Sequence, residues 1–378
     1  MTYTATTGTC IIVGGGIGGV MVAKNLKKSG LEVTIIDRQN YLDWSIAAAR
    51  SLVSPDDIDK HNYAMPLDKV SEFMGAKFVQ SAVAQVSEKS VTLANGDVLY
   101  ADFVVVAIGG QYGSGALWKP TPELTTKEKR VAAFRAEREK AAAAKAIVVA
   151  GAGLAGVEVA GELKAAFPDA KVTLVGTFLP FASDNTKAKV RKALEEMGVI
   201  LTDGRVEDPK PVNGKVKTTS NETLDADIVY MATGFIFAGA KLLDDNLKSN
   251  ATENGQVSCR PTLQLDGCDT VFACGDIVKV PDGKYADVKG SMHAEAMAKT
   301  VAANVMNLMS GKELSSFKWS EKANNVPSFT ALGPDVGVGD LGMPSFMGGI
   351  ENWMARKVKT ADFFMTFRAA DFGKGKTW

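Results

Sequence analysis

Short, wholly apolar runs punctuate the chain and alternate with longer stretches patterned as helices. Cys10–Val13, the run ending at Asp37, Phe103–Ile108, Ala146–Ala150, Lys171–Val175, the run from Asp227 and Val271–Cys274 are too short and too uniformly apolar for half-exposed strands. They predict buried strands of α/β sheets. Between them the pattern predicts helices over Val20–Ser29, Thr125–Ala144 and Ser291–Leu308. Val91-Thr-Leu-Ala-Asn95-Gly96-Asp-Val-Leu predicts a hairpin turning on Asn-Gly.

Two of the strand-to-helix corners carry the same glycine pattern. The first reads Gly14-Gly15-Gly16-Ile17-Gly18-Gly19 and the second Gly151-Ala-Gly153-Leu-Ala-Gly156. Each follows a strand, opens a helix and leads to a second strand, so each is a βαβ unit with backbone N–H groups free at a helix start. Such a corner receives a pyrophosphate. Two corners imply two dinucleotides, and the economical reason to hold both is hydride transfer between them.

The strand ends differ. Asp37 stands where an acidic side chain meets a ribose diol, whereas Gly176 occupies the matching position of the second unit. Without a carboxylate there, a 2′-phosphate meets less repulsion. NADPH is therefore expected as a donor alongside NADH, with a modest preference, since no arginine follows Gly176 directly. Asp276 ends an apolar strand and either meets a ribityl hydroxyl or caps the next turn. The helix at His293 would aim its N-terminus at the flavin pyrimidine edge, and His293 is either a proton donor or a satisfied side chain. Glu158, assigned to the first turn of the second nucleotide helix, either bonds the nicotinamide carboxamide or complements the helix dipole.

Composition narrows the partners. The 378 residues suit two or three domains, and 43 basic residues balance 43 acidic ones, so no nucleic-acid partner is expected. Cys10, Cys259, Cys268 and Cys274 form no C-x-x-C or C-x4-C pair, which removes a redox dithiol and points to a reducing compartment. No metal-ligand cluster stands out. The polar N-terminus with Thr2 shows no leader or myristoylation signal, so a cytoplasmic location is expected. After Gly311 aromatic residues from Phe317 to Trp378, Phe346 and Trp353 among them, crowd beside Lys357, Lys359 and Arg368. This tail is read as a small third domain serving as lid or dimer face, or as a peripheral membrane contact.

Together these motifs resemble the two-dinucleotide flavoproteins of the pyridine nucleotide-disulfide oxidoreductase type, and within them the apoptosis-inducing-factor-like, ferroptosis-suppressor branch. Gly337-Val-Gly339, Leu263-Gln-Leu-Asp-Gly267 and Ala47-Ala-Ala-Arg50 extend the likeness, while Ala107-Ile-Gly109 replaces the usual Ala-Thr-Gly. The resemblance implies two Rossmann-like domains, the NAD(P)-binding one (111–236) inserted into the FAD-binding one (1–110 and 237–311), and a small α+β domain (312–378). It implies FAD contacts at Gly14, Gly15, Gly16, Ile17, Gly18, Arg50 (a cation for the pyrophosphate), Val83, Lys119 and Asp276. Gly151, Gly153, Gly156 and Gly234 frame the NAD(P)H site, and Lys359 and Phe364 lie near the quinone end of the flavin. The expected reaction is hydride transfer from NAD(P)H to flavin, then two electrons to a quinone with no redox disulfide. Rivals on the same fold are a reductase of an iron–sulfur protein or ascorbyl radical, a type-II NADH dehydrogenase, and a slow redox-responsive binding module.

Overall fold

The computed structural model describes residues 8–180, 182–281, 285, 289–319, 328–340, 353 and 355–372. The first unit opens with β1 (Thr9–Val13), α1 (Ile17–Leu26), β2 (Glu32–Asp37), α2 (Ala48–Val53), β3 (Ala76–Gln80) and β4 (Phe103–Val106). The chain then builds β5 (Ala146–Ala150), α3 (Leu154–Ala166), β6 (Lys171–Val175), α4 (Asp184–Glu196), β7 (Ile200–Thr202) and β8 (Ile228–Met231), and returns with β9 (Val271–Ala273) and α5 (Ser291–Met309).

Two parallel sheets result, in the orders β9-β4-β1-β2-β3 and β7-β6-β5-β8. In each, the strand that enters the glycine corner is flanked by its successor on one side and a later strand on the other. The strand order therefore reverses at that corner, and a crevice opens beyond the carboxyl ends of the strands. The shared layout follows from the apolar runs: strands covered on both faces need crossover helices, so each βαβ unit winds the same way.

The hairpin forms as expected between Ser90–Leu93 and Val98–Tyr100. Helix α1 begins three residues earlier than the pattern predicts. Gly18 and Gly19 are helical, and the helix packs so closely that a Cβ at Gly19 would strike the Gly14 carbonyl and one at Gly18 would crowd the Cys274 sulfur at 3.2 Å. The glycines that look like loop in the sequence let the helix lie against the sheet.

A third unit joins hairpin β10 (Ser328–Ala331) and β11 (Gly337–Asp340) to a helical segment over Ala355–Lys359, Thr360–Asp362 and Met365–Phe372. Part of the aromatic tail turns inward: Phe317, Phe363 and Phe372 are buried, and Phe372 meets Trp44 edge-on at 5.7 Å. Trp353 remains exposed, and Phe346 and Trp378 lie outside the described residues.

The three units meet on α3. Glu158 and Glu162 stand one helical turn apart on the same face, and both are buried. Arg50 of α2 grips Glu162 through Nε and Nη2, each at 2.8 Å, and donates from Nη1 to the Thr360 carbonyl at 3.2 Å. Between the two carboxylates, Gly161 lets the hairpin close in, since a Cβ there would lie 2.7 Å from the Leu332 Cα.

Removing one partner of a buried ion pair strands the other charge, which costs about 3–5 kcal/mol. Arg50→Met should therefore lower unfolding stability by that order, and the double variant with Glu162→Met should recover most of it in denaturant melts. A double variant no more stable than Arg50→Met would refute the coupling. Alanine normally improves a helix over glycine by about 0.5–1 kcal/mol. Gly161→Ala should reverse that sign and lower the melting temperature, because its methyl meets backbone.

Candidate active site

Both glycine corners adopt the same backbone. Gly14 and Gly151 turn at φ +112° and +116°, and Gly16 and Gly153, the N-caps of α1 and α3, lie at φ −73° with ψ −177° and −176°. Neither cap has a side chain bonded to the first-turn N–H groups, and a Cβ at Gly16 or Gly153 would meet nothing within 4 Å. Each corner is thus an open cradle whose amide donors face outward at the positive end of a helix.

At the first corner Asp37 accepts from Gly15 N at 2.6 Å and Gln39 N at 2.8 Å, one amide per carboxylate oxygen. Burial raises its proton affinity and these amides oppose the shift. One lone pair on each oxygen remains for a diol. Lys119 and Asp276, far apart in sequence, come together at 3.5 Å. His293 sits in the first turn of α5. Burial lowers its pKa, with Lys289 adding to the effect and Asp276 opposing it, so the imidazole is held neutral near neutral pH. Val83 opens the strand Val83–Val86 beside a register shift. Gly234, at φ +77°, passes from β8 into Phe235–Ile236, which pairs antiparallel with Gln111–Tyr112 where the chain crosses between the units.

Arg50 is engaged within the protein: its three nitrogens donate to Glu162 and the Thr360 carbonyl, and its guanidinium lies 5.4 Å from the Phe363 ring centre. One placement is corrected. Glu158 is not in the first helical turn, where a dipole acts most strongly. It is the fifth residue of α3, buried beneath the third unit, where it accepts from the Lys359 ammonium and from Ala331 N at 3.2 Å. Burial raises its proton affinity, while Lys359 and the amide oppose that shift.

Lys359 also donates to the Phe329 carbonyl and is only 4% exposed. Phe364 packs edge-on against Phe329, with centres 5.6 Å apart. Phe363 and Phe364 both hold left-handed backbone, φ +50° and +67°, which costs a side-chain-bearing residue about 1–2 kcal/mol each. Trp44 Nε1 secures the turn through the Phe363 carbonyl at 2.8 Å, and Phe363 packs on Tyr63. The turn thereby presents Phe364 beside the Lys359 segment.

Sequence reasoning overlooked Glu162, Phe329 and Ala331. Glu162 had a signal, for two carboxylates one turn apart on an otherwise apolar helix each require a cation. Ala331 acts through its backbone N–H and Phe329 through its carbonyl and its ring, and no local pattern marks either contact. All four cysteines are free, and burial pushes the Cys10, Cys259 and Cys274 thiols up to about 12. Among the described residues no group of three or more His, Cys, Asp or Glu could hold a metal, and no helix is long and apolar enough to cross a membrane.

The family model for pyridine nucleotide-disulphide oxidoreductases matches residues 8–300. Apoptosis-inducing factor homolog A of Dictyostelium discoideum is 29% identical over 329 residues, covering 80% of this chain and 77% of that protein. Ferroptosis suppressor protein 1 of Homo sapiens is 25% identical over 370 residues, covering 94% and 93%. The sulfide:quinone oxidoreductase of Aquifex aeolicus shares the fold at a TM-score of 0.70 and 18% identity, over 98% of this chain and 96% of that one. These matches bear out the resemblance drawn from the motifs. The chain belongs to the pyridine nucleotide-disulphide oxidoreductase family, with FAD as its prosthetic group and NAD(P)H as its electron donor.

Proposed function

We propose that the chain is an NAD(P)H:quinone oxidoreductase that works without a redox disulfide. In this reading residues 1–110 and 237–311 form the FAD-binding unit, 111–236 the NAD(P)H unit and 312–378 the acceptor unit. The first corner suits an FAD: Gly16 leaves its cradle open, Asp37 keeps lone pairs for the ribose, and Lys119 with Asp276 offers a paired cation and carboxylate. With Arg50 engaged by Glu162 and the Thr360 carbonyl, the open amides of α1 take the pyrophosphate. When bound, FAD supplies hydride acceptance from NAD(P)H and two-electron delivery to the acceptor.

One observation carries the choice of acceptor. The Lys359 ammonium is buried against Glu158 and the Phe329 carbonyl, where the acceptor unit meets the helix of the nucleotide corner. Reducing a quinone to its hydroquinone adds two protons as well as two electrons. The Lys359 ammonium, donating to Glu158 and to the Phe329 carbonyl, is a proton source shielded from bulk water by its burial. The Phe364 and Phe329 rings give an apolar wall suited to a flat acceptor. Burial keeps three of the four thiols protonated, which supports electrons leaving without a dithiol relay.

Anaerobic titration of the yellow protein with NADPH should bleach the flavin with no thiolate-to-flavin charge-transfer band. The Lys359→Met/Glu158→Gln variant, which leaves no stranded charge, should lose about a hundredfold in quinone turnover. Flavin reduction by NADPH, followed by stopped flow, should change less than about threefold, since proton delivery to the acceptor comes later. Equal losses in both half-reactions would assign the pair to nucleotide binding and overturn the proton role. Slow turnover with every quinone but fast turnover with a small iron–sulfur protein would overturn the acceptor.

A further inference from the structure

Strand β6 ends at Gly176, with φ +145°, and a Cβ there would lie 2.8 Å from the Ala152 backbone nitrogen. The position that carries Asp37 in the first unit therefore admits no side chain in the second. Selection at the adenosine ribose must come from neighbouring elements.

Those neighbours line a small cleft of about 40 Å³ beside the second glycine corner, formed by Ala152, Gly176, Phe178, Arg191, Thr202 and Asp203 among others. Arg191 projects from α4 with its guanidinium carbon 4.8 Å from the centre of the Phe178 ring. The ring fixes the plane of the fork without consuming its N–H donors. The carboxylate paired with it is Glu195, at 3.9 Å, which is too long for a hydrogen bond, and both side chains are about half exposed. Such a pair is worth about 0–1 kcal/mol, so a dianion displaces it readily. Asp203, exposed on the same cleft, carries the opposite charge.

We infer that Arg191, braced on Phe178, is the cation that recognises the 2′-phosphate of NADPH, and that Asp203 opposes it and moderates the preference over NADH. The inference rests on the second corner being the NAD(P)H site. Arg191 lies well past Gly176 in sequence and reaches the ribose end of the crevice only because α4 folds back over β6 and β7.

Calorimetry on the FAD-loaded full chain with 2′,5′-ADP and 5′-AMP separates the two ideas, because neither fragment can reduce the flavin. In the wild type, 2′,5′-ADP should bind more tightly than 5′-AMP. Arg191→Leu should cut that affinity ratio about tenfold or more, as expected for losing charge-assisted hydrogen bonds. Asp203→Asn should raise the ratio. The KM ratio of NADH to NADPH should move in the same directions. Equal weakening of both fragments in Arg191→Leu would make Arg191 an adenine platform or a scaffold residue and overturn the inference. Failure of both fragments to bind the wild type or to compete with NADH would instead overturn the nucleotide site itself.

Discussion

Two carboxylates one helical turn apart, buried on a single face of α3, set the terms on which the three units assemble. A buried glutamate is costly unless a cation reaches it, and α3 offers none on that face. Glu162 takes its cation from the first unit through Arg50, and Glu158 takes its cation from the third unit through Lys359. Gly161, between them, brings the hairpin backbone close enough for Ala331 N to reach Glu158. Because Lys359 and Thr360 are adjacent, both carboxylates hold the same short stretch of chain: one directly, the other through Arg50 and the Thr360 carbonyl. Relative position of the units and geometry of the Lys359 segment are thus one electrostatic arrangement.

Strain is concentrated beside that arrangement. Consecutive phenylalanines in left-handed backbone persist only where surrounding contacts over-determine them. Trp44, Tyr63 and the Arg50 guanidinium supply those contacts for Phe363, so the turn is fixed by the first unit although it belongs to the third. Phe364 is then aimed by packing it does not itself make. This explains how a residue in an irregular segment is held in a defined position.

The two glycine corners are one backbone solution used twice. Turn angles and open N-caps coincide, so both corners offer the same amide donors at a helix start. Difference enters at the strand ends, where Asp37 gathers two amides in one unit and Gly176 excludes any side chain in the other. Choice between similar coenzymes then passes to residues that arrive from other elements.

Much of this was legible in the chain. Uniformly apolar runs called for parallel sheets, the repeated glycines marked both corners, and Asp37 was placed by spacing, because each depends on residues close in sequence and on backbone rules that any such segment obeys. Helix boundaries were less legible, since Gly18 and Gly19 look like loop and become helix only against the sheet. The contacts of Arg50, Glu158 and Arg191 were not legible, for a common reason. The partner of a buried or half-buried charge is chosen by which distant elements pack against it, and local pattern carries no record of that packing. Sequence alone settled the two sheets, their crossing helices and the cradles at their corners; the tertiary structure decided which cation meets which carboxylate, because that depends on three units closing on one helix.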